Sequence, residues 1–257
     1  GNSRSAKSPG QTGSPSKQPS GLNWDLWLGP RAARPYRGGY APFVWRWIWD
    51  FGNGTMPDMG PHHFDPAFNG LGPDAPSTME ARASDLDPET SLGSHLVTYQ
   101  YGLQGNRGPL SVYWYDNGLR PPTPLGIDPD DAKQRLGEGE NGLMVVGEKG
   151  ILTCAGWSGM PRLLPLELHR DYKRPPKTLP RVAGHHADWL QACKGGTPAC
   201  SNFEYGARVT EFILLGTLAL RTGKVVQWDA ASMAATNAPD AQPFIQGIYR
   251  KGWELPL

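Results

Sequence analysis

Residues 45–65 read WRWIWDFGNGTMPDMGPHHFD, a stretch that runs from an aromatic segment through two glycines into a predicted helix. The helix is predicted from Pro57 or Asp58 to about Gly70, where glycine ends it. Asp58 and His62 are four residues apart, so a helix places both side chains on one face. A carboxylate in that position orients an imidazole and raises its basicity, and general bases are commonly built in this way.

Pro61 constrains the geometry of this pair. Proline is tolerated in the first turn of a helix, where its missing N–H leaves no bond unmade. If the helix starts as late as that requires, the Asp58–His62 geometry is less regular than the spacing implies. Asp65, one turn beyond His62, is a second carboxylate that can orient the imidazole or cap a neighbouring loop. An isolated Asp-x-x-x-His pair is most often a surface salt link, so the pair alone does not establish catalysis.

Residues 22–54 carry five tryptophans among prolines and glycines, which predicts an extended, aromatic-lined loop. The flat apolar face of an indole suits the C–H face of a sugar, although core packing is the favoured interpretation for most of the five. Arg46 is set among these rings, so its guanidinium is expected to face a polar or anionic group. Arg46 and Trp47 are therefore candidate substrate contacts. Asp65 and Tyr115, further along the chain, are two more.

The remaining sequence predicts an α+β fold. Alternating β-branched and aromatic residues predict strands at 94–101 and 110–115, a hairpin of 143–147 and 151–155, and a last strand at 224–228. Helices are predicted at 128–136, 184–194 and 204–221, with a proline- and lysine-rich crossing at 161–180. Because consecutive strands are joined by short turns, the sheet should be large, open and mostly antiparallel, with helices on one face.

Composition bounds the domain organisation and the partners. The 25 basic and 24 acidic residues give a net charge of +1, which argues against nucleic-acid binding because that needs a clustered basic face. No apolar run reaches the roughly 18 residues that span a bilayer, so no membrane partner is expected.

Residues 1–21 are dominated by small and polar types and are predicted to be a disordered or artefactual tail. Residues 22–257 are predicted to form one domain.

Two His-His-x-Asp sequences raise a metal-dependent alternative. His62-His63-Phe64-Asp65 and His185-His186-Ala187-Asp188 contain ligands suited to zinc or iron. Adjacent histidines on a helix diverge by about 100°, so each set offers at most one histidine and its aspartate. A metal site would require both sets to converge, and no metal ligand is assigned from the sequence.

An ordered series of motifs resembles the C-terminal domain of the Gfo/Idh/MocA oxidoreductases, in particular a bacterial branch with many exported members. The series covers about nine-tenths of the chain and consists of Leu22–Pro30, Trp45–Trp47, Trp49–Gly52, Asp58–His62, Trp114–Gly118, Ala192–Gly196, Cys200–Tyr205, Leu214–Gly216, Ala219–Lys224, Trp228–Asp229 and Tyr249–Trp253. In that family the aspartate and histidine of the motif lie beside the reacting sugar carbon. The resemblance therefore implies catalytic roles for Asp58 and His62.

The resemblance also implies a cofactor, NAD or NADP, bound mainly by an N-terminal dinucleotide-binding domain. The Glu-Lys-Pro loop typical of that domain does not occur here. The sequence Gly137-Glu138-Gly139-Glu140-Asn141-Gly142 follows a predicted helix and precedes a predicted strand, the reverse of the order that directs amide groups at a pyrophosphate. No cofactor-binding residue is therefore assigned, and this chain alone is expected to be catalytically incomplete.

Together these features predict the substrate-binding and catalytic half of an NAD(P)-dependent oxidoreductase that acts on a sugar or cyclitol. His62 would accept the hydroxyl proton, with Asp58 orienting the imidazole or positioning the substrate. The alternatives are a non-catalytic sugar-binding or oligomerisation module, an NAD-assisted glycoside-cleaving enzyme and a metal-assisted hydrolase or lyase. The resemblance further suggests an exported, periplasmic parent and a homo-oligomer formed through the sheet.

Overall fold

A computed structural model describes residues 16–84, 86–105, 108–139 and 141–254. The helices are α1 (Trp24–Leu28), α2 (Thr55–Leu71), α3 (Leu166–Asp171), α4 (His185–Cys193), α5 (Phe203–Thr222) and α6 (Gln242–Ile245). The strands are β1 (Thr78–Ala83), β2 (His95–Tyr101), β3 (Leu110–Asp116), β4 (Gly142–Gly147), β5 (Gly150–Ala155), β6 (Arg162–Leu164), β7 (Val226–Asp229) and β8 (Ala234–Ala235). Each strand pairs antiparallel with its neighbours, so the predicted α+β class is confirmed.

The first sheet has five strands in the order β3-β2-β1-β7-β8. Its register sets Val97 of β2 opposite Trp114 of β3, and Tyr99 opposite both Val112 of β3 and Met79 of β1. Because successive residues of a strand point to opposite faces, Val97 and Tyr99 share one face of the sheet. Both are fully buried, so this face holds the core.

Helices α2 and α5 cover this face. The ring of Phe212 in α5 lies 4.1 Å from Tyr99 and 4.8 Å from each of Phe64 and Phe68 of α2. Gly60 of α2 packs closely on α5, because a Cβ there would lie 3.1 Å from Ile213. Burial of each phenylalanine contributes roughly 1.5–3 kcal/mol, so these rings largely fix α2 against the sheet.

The chain divides into two compact units, one of residues up to Pro122 with those from Phe212 onward, and one of Thr123–Glu211. The second unit contains the three-stranded sheet β4-β5-β6 and the helices α3 and α4. There α3 packs on β5, since Gly150 leaves room for the side chain of Leu168. The predicted boundaries of a tail at 1–21 and a domain at 22–257 stay a prediction, and most of that tail lies outside the described residues.

Three predicted segments are wrong in detail. The helix expected at 128–136 is only a 3₁₀ turn at Ala132–Gln134, because the Asp128 carboxylate accepts the amide of Asp130 and closes a local turn instead. The crossing at 161–180 contains β6 and α3. The extended loop at 22–54 contains α1 and a 3₁₀ turn at Val44–Trp47.

Strand β1 was not predicted. Its sequence, TMEARA, has one β-branched residue and no aromatic residue, so it carries little strand propensity of its own. Pairing with β2 along its whole length places it in the sheet, from Thr78 opposite Gln100 to Ala83 opposite His95. Pairing with β2, and not the intrinsic propensity of its own residues, therefore makes this segment a strand.

Among the described residues, no helix is both long enough and apolar enough to cross a membrane.

Replacement of Gly216 by alanine should destabilise the fold. A Cβ at Gly216 would overlap the hydroxyl of Tyr99 and lie 2.9 Å from Met56, while Tyr99 is fully buried and cannot move aside. Overpacking of this kind costs about 1–3 kcal/mol, and a decrease of that size is expected in the free energy of unfolding measured in urea.

Gly206→Ala is the matched control on the same helix. A Cβ at Gly206 meets no atom within 4 Å, so the better helix propensity of alanine should raise the free energy of unfolding by about 0.5–1 kcal/mol. Equal effects of the two substitutions would contradict the packing described for Gly216.

Candidate functional site

Helix α2 places the two predicted catalytic residues on successive turns. It begins at Thr55 after Gly54, whose φ is 91° and whose Cβ would come within 2.7 Å of Ser91. The amide of Asp58 already donates to the Gly54 carbonyl at 3.2 Å, so Asp58 and His62 both lie within the helix. Their side chains are exposed and share one face.

Pro61 does not lie in the first turn, where proline is best tolerated, because the helix begins at Thr55. Pro61 and Pro66 both lie inside α2, and the helix continues through them. Each proline lacks an N–H and cannot donate to the carbonyl four residues earlier. The packing of Phe64 and Phe68 against α5 offsets this loss, and the spacing of Asp58 and His62 stays that of a regular helix.

Arg46 meets Asp58 at the start of the helix. Its Nε donates to Asp58 Oδ1 at 3.2 Å, and its Nη1 donates to the Phe43 carbonyl at 2.9 Å. The guanidinium also lies over the Phe43 ring, 3.9 Å from the ring centre. Because the Asp58 side chain is 40 % exposed, this ion pair adds little to stability, and its effect is to orient the carboxylate.

The loop before α2 holds Arg46 by close backbone contacts. The Arg46 carbonyl accepts the amide of Gly54 at 2.9 Å, and a Cβ at Gly52 would lie 2.6 Å from Arg46 Cα. The indole N–H of Trp47 donates to the Thr55 hydroxyl at 3.0 Å, which joins the loop to the first residue of the helix. Glycine at position 52 is therefore required by the approach of two backbone segments.

The two adjacent histidines of α2 have different environments. His62 is exposed, whereas His63 is only 6 % exposed and packs edge-on against Trp114 at 5.5 Å. The Nδ1 atom of His63 lies 2.8 Å from the Met59 carbonyl, which can only accept, so Nδ1 carries the proton. Burial lowers the pKa of His63 and favours the neutral ring. His63 thus anchors the helix while His62 faces outward.

A buried carboxylate lies behind this helix. Asp116 Oδ2 accepts the indole N–H of Trp114 at 3.2 Å and lies 3.3 Å from Nε2 of His95, while Oδ1 accepts the amide of Asn117 at 2.7 Å. The other nitrogen of His95 lies 3.0 Å from the Gly93 carbonyl.

Sequence reasoning missed this His95–Asp116 pair. The signal was available in the strands themselves, because antiparallel pairing of β2 and β3 sets His95 directly opposite Asp116. The sequence predicts both strands but does not fix the register between them, so it does not show that His95 and Asp116 are paired.

The other predicted substrate residues are placed differently. Asp65 is exposed on α2, three residues beyond His62 and close to it on the helix surface. Tyr115 alternates with Trp114 and Asp116 along β3, so it lies on the face of the sheet opposite α2, beside Tyr113 at 6.4 Å. The structure therefore brings Arg46, Trp47, Asp58, His62 and Asp65 to one region of α2 and its entry loop, and leaves Tyr115 apart.

The second His-His-x-Asp sequence lies at the start of α4. The carboxylate of Asp188 accepts the amide of Cys200 at 2.8 Å and so closes the loop that follows the helix. Within residues 16–84, 86–105, 108–139 and 141–254, no group of three or more histidine, cysteine, aspartate or glutamate side chains is placed to hold a metal ion.

The glycine-rich segment at 137–142 does not fit a dinucleotide. Glu138 and Asn141 bridge each other through their backbones, and a Cβ at Gly137 would lie 3.0 Å from Gly142 Cα. Such a closed turn leaves no cradle for a pyrophosphate, and a strand, β4, follows it where a helix would be needed. No residue of this segment is assigned to NAD or NADP.

The chain is similar to an oxidoreductase-family C-terminal alpha/beta domain. The model of that domain matches residues 8–106, a range that includes the entry loop, α2, β1 and β2. This match confirms, over residues 8–106, the predicted resemblance to the C-terminal domain of the Gfo/Idh/MocA oxidoreductases. A comparison with curated proteins finds no match.

His63→Gln should reduce the loss of stability in acid. Because the pKa of His63 is lower in the folded protein than the 6.5 of an unperturbed histidine, the unfolded chain takes up its proton first as the pH falls. The free energy of unfolding therefore decreases from pH 6.5 down to the folded pKa. Glutamine can still donate to the Met59 carbonyl but does not titrate.

The measurement is urea unfolding of both proteins from about pH 7.5 to about pH 5. The stability of the native protein relative to His63→Gln should decline across this range. A difference that stays constant with pH would contradict the neutral, buried state of His63.

Proposed function

We propose that this chain is the substrate-binding and catalytic half of an NAD(P)-dependent oxidoreductase that acts on a CH–OH group of a sugar or cyclitol. One observation carries the proposal: Asp58 and His62 occupy successive turns on the exposed face of α2, and Arg46 contacts Asp58. The family match to an oxidoreductase domain supports the reaction class, and the named substrate and cofactor classes are part of the proposal.

His62 is the proton acceptor in this proposal. Its imidazole is exposed on a helix that His63 and Phe64 fix against Trp114, so the ring is accessible while its backbone is held. Oxidation of an alcohol requires that the hydroxyl proton leave, and a positioned imidazole accepts it near neutral pH. Asp58 and Asp65, one turn before and one turn after His62, orient the imidazole and the substrate hydroxyls.

The entry loop is the substrate-orienting part of the site. Arg46 presents a guanidinium held by Asp58 and the Phe43 carbonyl, and the aromatic rings of Phe43 and Trp47 lie 5.5 Å apart beside it. A ring face contacts the C–H face of a sugar, and the guanidinium donates to its hydroxyls. In this proposal NAD or NADP would be bound mainly by an N-terminal dinucleotide-binding domain and would supply the hydride acceptor.

His62→Gln should separate catalysis from binding. The chain would be joined behind a dinucleotide-binding domain, and NAD(P) reduction would be measured with a panel of sugars and inositols. Loss of a general base lowers the rate by about 10²- to 10⁴-fold, whereas binding of the same sugar to the chain itself, followed by NMR, should change little. His186→Gln, an exposed histidine of the other His-His-x-Asp sequence, is the matched control and should retain the rate.

Each alternative function gives a different result in this assay. If the chain binds a sugar with the same affinity with and without His62, and shows no NAD(P)-linked turnover, the result would favour a binding module. Release of a glycosidic leaving group without net NAD(P) reduction would favour a glycoside-cleaving enzyme. Turnover that a chelator abolishes would favour a metal-assisted hydrolase or lyase.

We also propose that the chain forms a homo-oligomer through the face of the first sheet opposite α2. Tyr113 and Tyr115 lie on this face, next to Leu96, which is opposite Tyr115 in the register. Tyr113 is 50 % exposed, so an aromatic ring on this face remains available for a contact.

Tyr113→Asp should shift the oligomer towards the monomer in size-exclusion chromatography with light scattering. A buried, unpaired carboxylate at an interface costs several kcal/mol, whereas Tyr113→Phe keeps the ring and should keep the assembly. A native protein that is monomeric at high concentration would overturn the proposal.

A further inference from the structure

The connection between α3 and α4 is exposed and has no regular structure. It consists of residues 172–183, here called the basic arm, and every one of them is exposed. No hydrogen bond, ion pair or ring contact joins the basic arm to any residue that the structure describes. Connections of this length are usually binding segments or linkers between domains. This one joins two helices of the same compact unit, so it is not a linker between domains.

The prolines of the basic arm favour an extended backbone. Pro175, Pro176 and Pro180 have no N–H to donate to a helix or a sheet, and each restricts the residue before it to the extended region. A backbone restricted in this way loses less conformational entropy when it binds along a surface. The basic arm spans at most about 40 Å when fully extended, which is enough to reach a neighbouring molecule.

The basic arm combines positive charge with exposed apolar surface. It contains no acidic residue, and its cations are Lys173, Arg174, Lys177 and Arg181. The acidic residues at its two ends have other partners. Asp171 accepts a bond from Arg170 at 2.9 Å, and Asp188 accepts the amide of Cys200 at 2.8 Å. Among the cations, Leu179 is 64 % exposed, so a matching partner offers both carboxylates and an apolar contact.

A second segment of the same unit has these complementary properties. It consists of residues 125–131, here called the acidic turn, and it contains Asp128, Asp130 and Asp131. Leu125, at its start, is fully exposed. The amide of Asp131 donates to the Asp128 carbonyl at 3.3 Å, so the carboxylates project from a hydrogen-bonded turn. In the part of the chain that the structure describes, none of these carboxylates makes an ion pair.

We propose that the basic arm of one copy of this chain binds the acidic turn of a second copy, and that the exchange is reciprocal. The two segments match in charge and in exposed apolar side chains, yet no hydrogen bond or ion pair joins them among the described residues of one chain. A two-fold axis sets the arm of each copy against the turn of the other, so a closed dimer covers both segments. Because exposed ion pairs are screened by salt, the contact should weaken as the ionic strength rises.

This contact is separate from the two proposals made above. The basic arm and the acidic turn belong to the unit of residues 123–211, whereas His62 and Tyr113 belong to the other unit. The test is therefore made in a protein that carries Tyr113→Asp, in which the contact proposed for the sheet face is removed. Any dimer that remains is then assigned to another surface.

Sedimentation velocity at about 50 mM and about 500 mM salt measures the dimer dissociation constant. The Tyr113→Asp protein should dimerise in low salt and less so in high salt. Lys177→Glu with Arg181→Glu should raise the dissociation constant about tenfold or more, and so should Asp128→Lys with Asp130→Lys.

The matched control reverses two exposed cations of the same unit outside both segments. Lys149→Glu with Lys194→Glu changes the net charge as much as the arm variant does and should leave the dissociation constant unchanged. Circular dichroism checks that each variant is folded. The single changes Arg181→Glu and Asp130→Lys keep the test available if a double variant does not fold.

A mixture of the two charge-reversed proteins shows whether the segments meet each other. The reversed arm of one protein and the reversed turn of the other again carry opposite charges, as do the two unchanged segments. A mixed dimer should therefore form more tightly than either variant dimerises alone. This result would support the reciprocal exchange, because each substitution repairs the effect of the other.

Three results would overturn the proposal. The first is a Tyr113→Asp protein that stays monomeric at high concentration in low salt. The second is a dimer that the arm and turn substitutions weaken no more than the control does, or a mixture that fails to associate. The third is a monomer that binds polyglutamate through Lys177 and Arg181, which would assign the basic arm to a different acidic partner. None of them affects the function proposed for His62.

Discussion

The hydrogen bonding of one buried carboxylate is the constraint on which the candidate site depends. Asp116 is 1 % exposed, and a charge so far from water is tolerated only when donors surround it. The indole N–H of Trp114 and the amide of Asn117 donate to it, with the His95 ring 3.3 Å away, and the first of these bonds fixes the indole of Trp114. The indole in turn contacts His63 and Phe64, so the residues at the end of β3 determine the orientation of α2.

This arrangement explains how one dipeptide serves two purposes. His63 is buried against the ring of Trp114, and this contact holds the helix in place. Its Nδ1 atom donates to the Met59 carbonyl of the same helix. Since adjacent residues of a helix diverge by about 100°, fixing the direction of His63 inward sets His62 outward. Arg46 then contacts Asp58 from the entry loop. His62 is thus positioned by a neighbour that faces the core, and Asp58 by a residue of the entry loop.

The sequence predicted the long helices and strands with a regular hydrophobic period, and it predicted that Asp58 and His62 share one helix face. Helices α2, α4 and α5 were expected close to their observed bounds, as were β2, β3 and the β4–β5 hairpin, because each shows the period of its own structure. Strand β1 was missed because its residues favour no strand. His95 and Asp116 were missed because strand register depends on tertiary packing, and the placement of Tyr115 away from Asp58 follows from that same register.

The approach of Gly52 to the backbone of Arg46 has an evolutionary consequence. A side chain at position 52 would displace the main chain of Arg46, and one at position 54 would collide with Ser91. A descendant of this protein could therefore exchange Arg46 for another residue while keeping both glycines, but it could not vary the glycines and keep the arginine in place. Of positions 46, 52 and 54, the two glycines are therefore expected to be the last to change.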